Sequence, residues 1–266
     1  MTECKNLVKL FFIRHGLSCS NYGREQKRDW ELSDPFLSDI GIQELEGYRD
    51  VVYKNRIRPD YVFSSSLLRA IQTAQILFPD KLVNVSPHIS ETHTADSTEN
   101  EPTLPSRQLK YLKRENVRYL YLGSGAEDLD TLFNNRKHDY DTPDFDKFLK
   151  WLTNKLKISL NTNRRLTIVV VGHGNFMQKM LINKNMFIDE KDSEKRKKLT
   201  PWNAAIVEMN LCKKSGGNLK PYTKNCEILK SLAHKTKYTH PCYGMKLLGF
   251  VDPDNTRISK NCEEHD

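Results

Sequence analysis

Apolar positions along the chain follow two rhythms. "LVKLFFIRHG" (7–16) and "RRLTIVVVGHG" (164–174) are dense runs of β-branched and aromatic residues, the pattern of strands buried on both faces. "PDYVFSSS" (59–66) and "KLVNVSPHIS" (81–90) read as two shorter strands. "LSDIGIQELEGYRDVVYKN" (37–55) and "LLRAIQTAQILF" (67–78) space their apolar residues as helices do; Ser38 or Asp39 suits the N-cap of the first, and Pro79 halts the second. "DFDKFLKWLTNKLKISL" (144–160) is an amphipathic helix, "NFMQKMLIN" a helix after the second long strand, and "WNAAIVEMNLC" (202–212) alternates like an edge strand. Strand–helix alternation of this kind predicts one α/β domain, residues 1–266, around a mostly parallel sheet.

The alternation breaks from Thr92 to Thr142. This stretch reads as an insertion, 92–142, with "RQLKYLKRENVRYLYL" predicted helical and loops around Pro102, Pro105, Gly123 and Gly125. Residues 213–266 read as a basic C-terminal extension.

Charge narrows the ligand class. Lys and Arg number 42 against 34 Asp and Glu, a net charge of +8, which favours anionic partners. "EKDSEKRKK" (190–198) is a charged run interrupted by acids, so it reads as a solvated loop and nucleic acid is not the expected partner. The first residues do not read as a secretory leader, and no apolar run is long enough to span a bilayer, so no membrane partner is expected. Six cysteines without a CxxC pair suit reduced thiols in a cytoplasmic or otherwise intracellular compartment. Cys226, His234, His240, Cys242, Cys262 and His265 match no zinc spacing; neither metal nor other cofactor is expected, and nothing in the sequence bears on oligomeric state.

The chemistry concentrates at strand ends. One strand ends in Arg14-His15-Gly16, the strongest in Gly172-His173-Gly174, and a third feeds "SSSLLRAIQTA", with Arg69 in the first helical turn. Ligands of open parallel sheets bind outside the carboxyl ends of the strands, so two histidines and two arginines converge there. Each residue alone also fits a strand-end histidine or a helix-surface cation; the set fits a phosphate site. Arginine presents a planar fork to phosphate oxygens, and glycine lets backbone and ligand approach closely. The helix starting near Asn175 would add its N-terminal dipole. A neutral imidazole can then attack phosphorus without a metal.

These residues resemble the histidine phosphatase superfamily, branch 1, also called phosphoglycerate mutase-like. "RHGLSCSN", "PFLSDIGIQE", "SSLLRAIQTA" and "VVVGHGNFM" look like its four ordered motifs, from about Leu10 to Phe176, with 92–142 poorly covered. The resemblance implies a three-layer α/β/α fold with a mostly parallel central sheet and an insertion over the active site. It implies His15 as phosphorylated nucleophile, Arg14, Arg69 and His173 as clamps on the phosphoryl oxygens, and Ser18, Asn21 and Gly174 as substrate contacts. Glu91 would be the general acid, with Asp96, Glu99 and Glu101 as nearby competitors. Leu17 stands where many members have glutamate, a departure that makes the local pocket less acidic.

Phosphatase and mutase share this chemistry and differ in the acceptor. "ETHTADSTENEP" lacks the segment by which phosphoglycerate mutases bind a carboxylated substrate and exclude water, which favours hydrolysis of an anionic phosphomonoester. The alternatives are mutase-type transfer and a non-catalytic module that binds phosphorylated ligands; the intact set of four residues counts against the second.

Overall fold

The computed structural model describes residues 7–21, 32–54, 56–91, 98–112, 116–119, 130–131, 144–156, 165–177, 203–213, 217–221 and 246–249. Its strands are β1 (Leu7–Arg14), β2 (Tyr61–Ser64), β3 (Val83–Val85), β4 (Val117–Tyr119), β5 (Leu166–Gly172), β6 (Ile206–Lys213), β7 (Leu219–Pro221) and β8 (Lys246–Gly249). Its helices are α1 (Asp39–Lys54), α2 (Leu68–Leu77), α3 (Pro105–Tyr111) and α4 (Phe145–Lys155).

The strands form one sheet in the order β4-β3-β2-β5-β1-β6-β7, with β8 also paired to β6. Strands β1 to β5 run parallel, while β6 is antiparallel to β1, and β7 and β8 are antiparallel to β6. The two strongest apolar runs, β1 and β5, pair at the centre, in register from Val8 with Leu166 to Arg14 with Gly172. That register delivers Arg14-His15 and His173 to the same edge.

Helices cover both faces, giving the expected three layers. On one face Leu45, Tyr48 and Val52 of α1 and Ala70, Ile71, Ala74 and Leu77 of α2 pack on Phe11, Ile13, Val169 and Val171. On the other, Phe145, Phe148, Leu149 and Leu152 of α4 pack on Leu10, Phe12, Ile168 and Val170. Alternate residues of β1 and β5 thus enter opposite cores, which is why Leu10–Ile13 and Ile168–Val171 are continuously apolar. Each such side chain contributes roughly 1.5–3 kcal/mol by burial.

Local signals set the helix starts. Ser38 caps α1, its Oγ accepting from the Gly41 N–H at 3.0 Å. Asp144 caps α4, accepting from the N–H groups of Asp146 and Lys147. No helix among the described residues is long and apolar enough to cross a membrane.

Three expectations change. The helix predicted over 107–122 ends at Tyr111, and Val117–Tyr119 is instead a parallel strand on β3, so part of the 92–142 stretch extends the sheet. Asn116 fixes that switch: its side chain donates to the Pro79 and Lys81 carbonyls and accepts from Gln75. Strand β6 is interior, not an edge, because β7 and β8 from the 213–266 stretch pair along its outer side. Finally, Cys19 and Cys212 each take part in a disulfide, and the described residues contain no free cysteine, against the expectation of reduced thiols. Pairing requires Cα atoms within about 4.4–6.8 Å, which the fold sets and sequence spacing does not.

Candidate active site

His15 and His173 leave the ends of neighbouring strands, and their ring centroids lie 5.1 Å apart. Both are buried. The His15 backbone is fixed on two sides: its N–H donates to the Gly172 carbonyl, and its carbonyl accepts from the Ala204 N–H. Ala204 reaches that position in the left-handed region, at φ 57°. An alanine held there costs about 1–2 kcal/mol, so the surrounding fold imposes the conformation.

The His15 ring has a defined tautomer. Its Nδ1 lies 2.7 Å from the Gly16 carbonyl, which can only accept. Nδ1 therefore carries the proton and Nε2 the lone pair. Arg69 Nε donates to that Nε2 at 3.4 Å. The same guanidinium donates to the Glu99 carbonyl and, at 2.7 Å, to Asn100 Oδ1.

His173 is buried completely, and its Nε2 lies 2.7 Å from Ser65 Oγ. Among the described residues its Nδ1 has no hydrogen-bond partner. Burial, then the charges of Arg69, His15 and Arg14, hold its pKa well below 6.5, which favours the neutral ring. A buried imidazole beside cationic groups is suited to receive a negative ligand. Arg14 closes β1 with its N–H on the Ala205 carbonyl, next to both histidines.

Glu91 follows the Pro87–Ile89 turn after β3 and is buried. Its two carboxylate oxygens accept from the Asn175 and Phe176 N–H groups, at the start of the helical residues 174–177. These N–H groups, expected to face an anion, are thus occupied by Glu91, which the same contacts bring beside His173. Gly174 is buried in that first turn.

Ser18 and Asn21 hold each other, the Ser18 hydroxyl donating to Asn21 Oδ1 and accepting from the Asn21 N–H. Of the competing carboxylates, Asp96 lies outside the described residues, Glu99 meets Arg69 through its main chain, and Glu101 is exposed. The tail cysteines and histidines also lie outside the described residues. Among the described residues no cluster of His, Cys, Asp or Glu is arranged to hold a metal.

Leu17 now has a structural account. It packs with Cys19 and Ile40 in a small apolar cluster, with Leu32 and Phe36 against it. A glutamate there would place a charge among hydrocarbon groups.

Sequence reasoning missed four short polar residues around the site. Ser65 touches His173, and Asn100 touches Arg69. Thr73 accepts from the Gly16 N–H and donates to the Arg69 carbonyl. Asp34 is buried and accepts from the Leu68 N–H, the Thr103 N–H and hydroxyl, and Gln108 Nε2. Thr73 and Ser65 lie within the quoted motifs; Asn100 acts from a turn with no periodic signal.

Two buried imidazoles thus stand with Arg14 and Arg69 at the carboxyl edge of the parallel strands. Residues 10–121 match the model of the histidine phosphatase superfamily, branch 1. The segment holds Arg14, His15, Arg69 and Glu91; His173 follows it. No curated protein matches the chain. A phosphoserine phosphatase mutant from Entamoeba histolytica, solved with phosphoserine, is similar at 20% identity over 80% of this chain and 95% of that one, with a TM-score of 0.44. The ecdysone phosphate phosphatase from Bombix mori, solved with tungstate, is similar at 16% identity over 84% and 96%, with a TM-score of 0.48. Phosphoglycerate mutase from Bacillus anthracis is similar at 17% identity over 79% and 84%, with a TM-score of 0.46.

Proposed function

We propose that the protein is a metal-independent phosphatase that hydrolyses an anionic phosphomonoester through a phosphohistidine on His15. The observation that carries this reading is the contact of His15 Nδ1 with the Gly16 carbonyl: the carbonyl accepts the Nδ1–H, which assigns the lone pair to Nε2, where Arg69 Nε donates at 3.4 Å.

In the first step Nε2 attacks phosphorus, the N–P bond forms, and the bond to the leaving oxygen breaks. The Nδ1–H donated to Gly16 stabilises the positive charge that develops on the ring. Arg14, Arg69 and His173 hold the equatorial oxygens, so charge compensation comes from side chains. Glu91 gives its proton to the leaving oxygen. In the second step the Glu91 carboxylate takes a proton from water, the water oxygen bonds to phosphorus, and the N–P bond breaks to release orthophosphate and the starting imidazole. Ser18, Asn21 and Gly174 contact the substrate around this centre.

The test is release of orthophosphate from an aryl phosphate in EDTA, with acid-labile phosphate trapped on the protein. His15→Ala abolishes both. Activity at the wild-type level in that variant would refute the mechanism. Phosphoryl transfer to a second alcohol in place of water would indicate a mutase, and tight phosphate binding without turnover a binding module.

A further inference from the structure

We propose that Asn100 is a positioning residue for Arg69, and that Asp34 straps it in place. This rests on the reading of Arg69 as a phosphate clamp. Asn100 closes the short turn Thr98–Asn100 and is buried. Its Oδ1 accepts from Arg69 Nη2 at 2.7 Å, while the Glu99 carbonyl of the same turn accepts from Nη1 at 2.8 Å. Two acceptors on one rigid fork fix the guanidinium plane, and with it the direction of Nε toward His15. An arginine without these partners spreads over several rotamers and must be ordered when an anion arrives.

The turn is itself anchored. Thr103, three residues beyond Asn100, donates its N–H and hydroxyl to Asp34 Oδ2. Oδ1 of the same carboxylate accepts from the N–H of Leu68, the residue before Arg69. One buried carboxylate therefore ties together the chain that carries Asn100 and the helix start that carries Arg69. The chemistry of the contact matters as well. An amide orients the guanidinium and leaves its positive charge available, whereas a carboxylate in that place would orient it and neutralise it.

The test is calorimetric binding of orthophosphate to the full chain, a readout independent of turnover. Asn100→Ala should weaken binding about tenfold, one ordered side chain's worth of free energy. In an Arg69→Ala background the same change should have no further effect, because the residue acts through the arginine. Asn100→Asp should weaken binding more than Asn100→Ala although it keeps the hydrogen bond. Equal losses with and without Arg69, or wild-type binding in Asn100→Asp, would overturn the assignment. If Asn100→Ala fails to fold, Thr103→Val carries the test: it should weaken binding about threefold with Arg69 present and not without it. Failure of the wild type to release phosphate from aryl esters, with orthophosphate binding intact, would sink the hydrolase reading and leave this one standing.

Discussion

Replacing Asp34 by asparagine tests how much of the site's framework hangs on one side chain. The carboxylate is 2% exposed and receives four donors: Leu68 N–H at 2.7 Å, Thr103 N–H and hydroxyl at 2.9 Å, and Gln108 Nε2 at 2.7 Å. Asparagine keeps one oxygen, which can stay on Leu68. Its NH2 group then faces the Thr103 N–H and the Gln108 NH2, and two donors oppose a donor. Each buried donor left without an acceptor costs about 1–3 kcal/mol. Removing a buried charge returns part of that, so the net loss should be about 2–4 kcal/mol. Urea unfolding at pH 7 should show a lower midpoint at an unchanged slope.

The pH dependence of that loss has a defined sign. Burial is the larger influence and holds the Asp34 pKa above 3.8, against the lowering pull of Thr103, Gln108, Leu68 and Arg69. For a raised carboxylate, the stability contribution is complete below the unfolded value and is lost as pH rises through the folded one. The protonated acid still accepts through both oxygens, which the amide cannot do. The gap between wild type and variant should therefore be no smaller at pH 5 than at pH 7. A variant within about 0.5 kcal/mol of wild type, the usual span of a surface change, would refute the clamp.

Gly41→Ala should destabilise by more than about 1 kcal/mol and lower activity, since its Cβ would stand 2.2 Å from the Leu17 carbonyl and push the loop after His15; thermal melts and turnover check both. His173, depressed below 6.5, contributes stability above that pH and loses it as pH falls, by up to about 1.4 kcal/mol for each unit below 6.5. His173→Gln should flatten the stability–pH profile between 6.5 and 5 to that extent; an unchanged slope would show that the ring is not the titrating group. With Cys19 and Cys212 both in disulfides, iodoacetamide should label neither under native, non-reducing conditions. Reduction should expose both and cost about 2–4 kcal/mol of stability per bridge, read as a lowered melting temperature.

The parts of the fold legible in the sequence are those where one local signal suffices. β1 and β5 announce themselves by the dense apolar runs Leu10–Ile13 and Ile168–Val171, and their parallel register brings Arg14-His15 beside His173. The legible set stops where a residue's role is defined by a distant partner. Val117-Arg118-Tyr119 reads as helical because the preceding "RQLKYLKRE" does; it becomes a strand because β3 offers a free parallel edge, 34 residues away in the chain, counting Val83 to Val117. "WNAAIVEMNLC" alternates as an edge strand should, yet β7 and β8 cover it. Asn100 and Asp34 sit in stretches without periodicity, and only the folded chain shows what they hold.

That division has a chemical consequence for His15. Its ring is oriented by Gly16, whose N–H donates to Thr73 Oγ1 at 3.0 Å, and the Thr73 hydroxyl donates to the Arg69 carbonyl at 2.7 Å. One hydroxyl thus links the main chain of the loop after His15 to the main chain of Arg69. The other side of Arg69 is fixed at its guanidinium by Asn100 and at its helix start by Asp34. Short-range contacts to Thr73, Asn100, the Glu99 carbonyl and the Asp34 carboxylate thus frame the guanidinium that donates to His15 Nε2. On the proposed reading of Arg69 as a phosphate clamp, a phosphoryl group would meet a guanidinium whose plane is already set, and its binding energy would not be spent on ordering it.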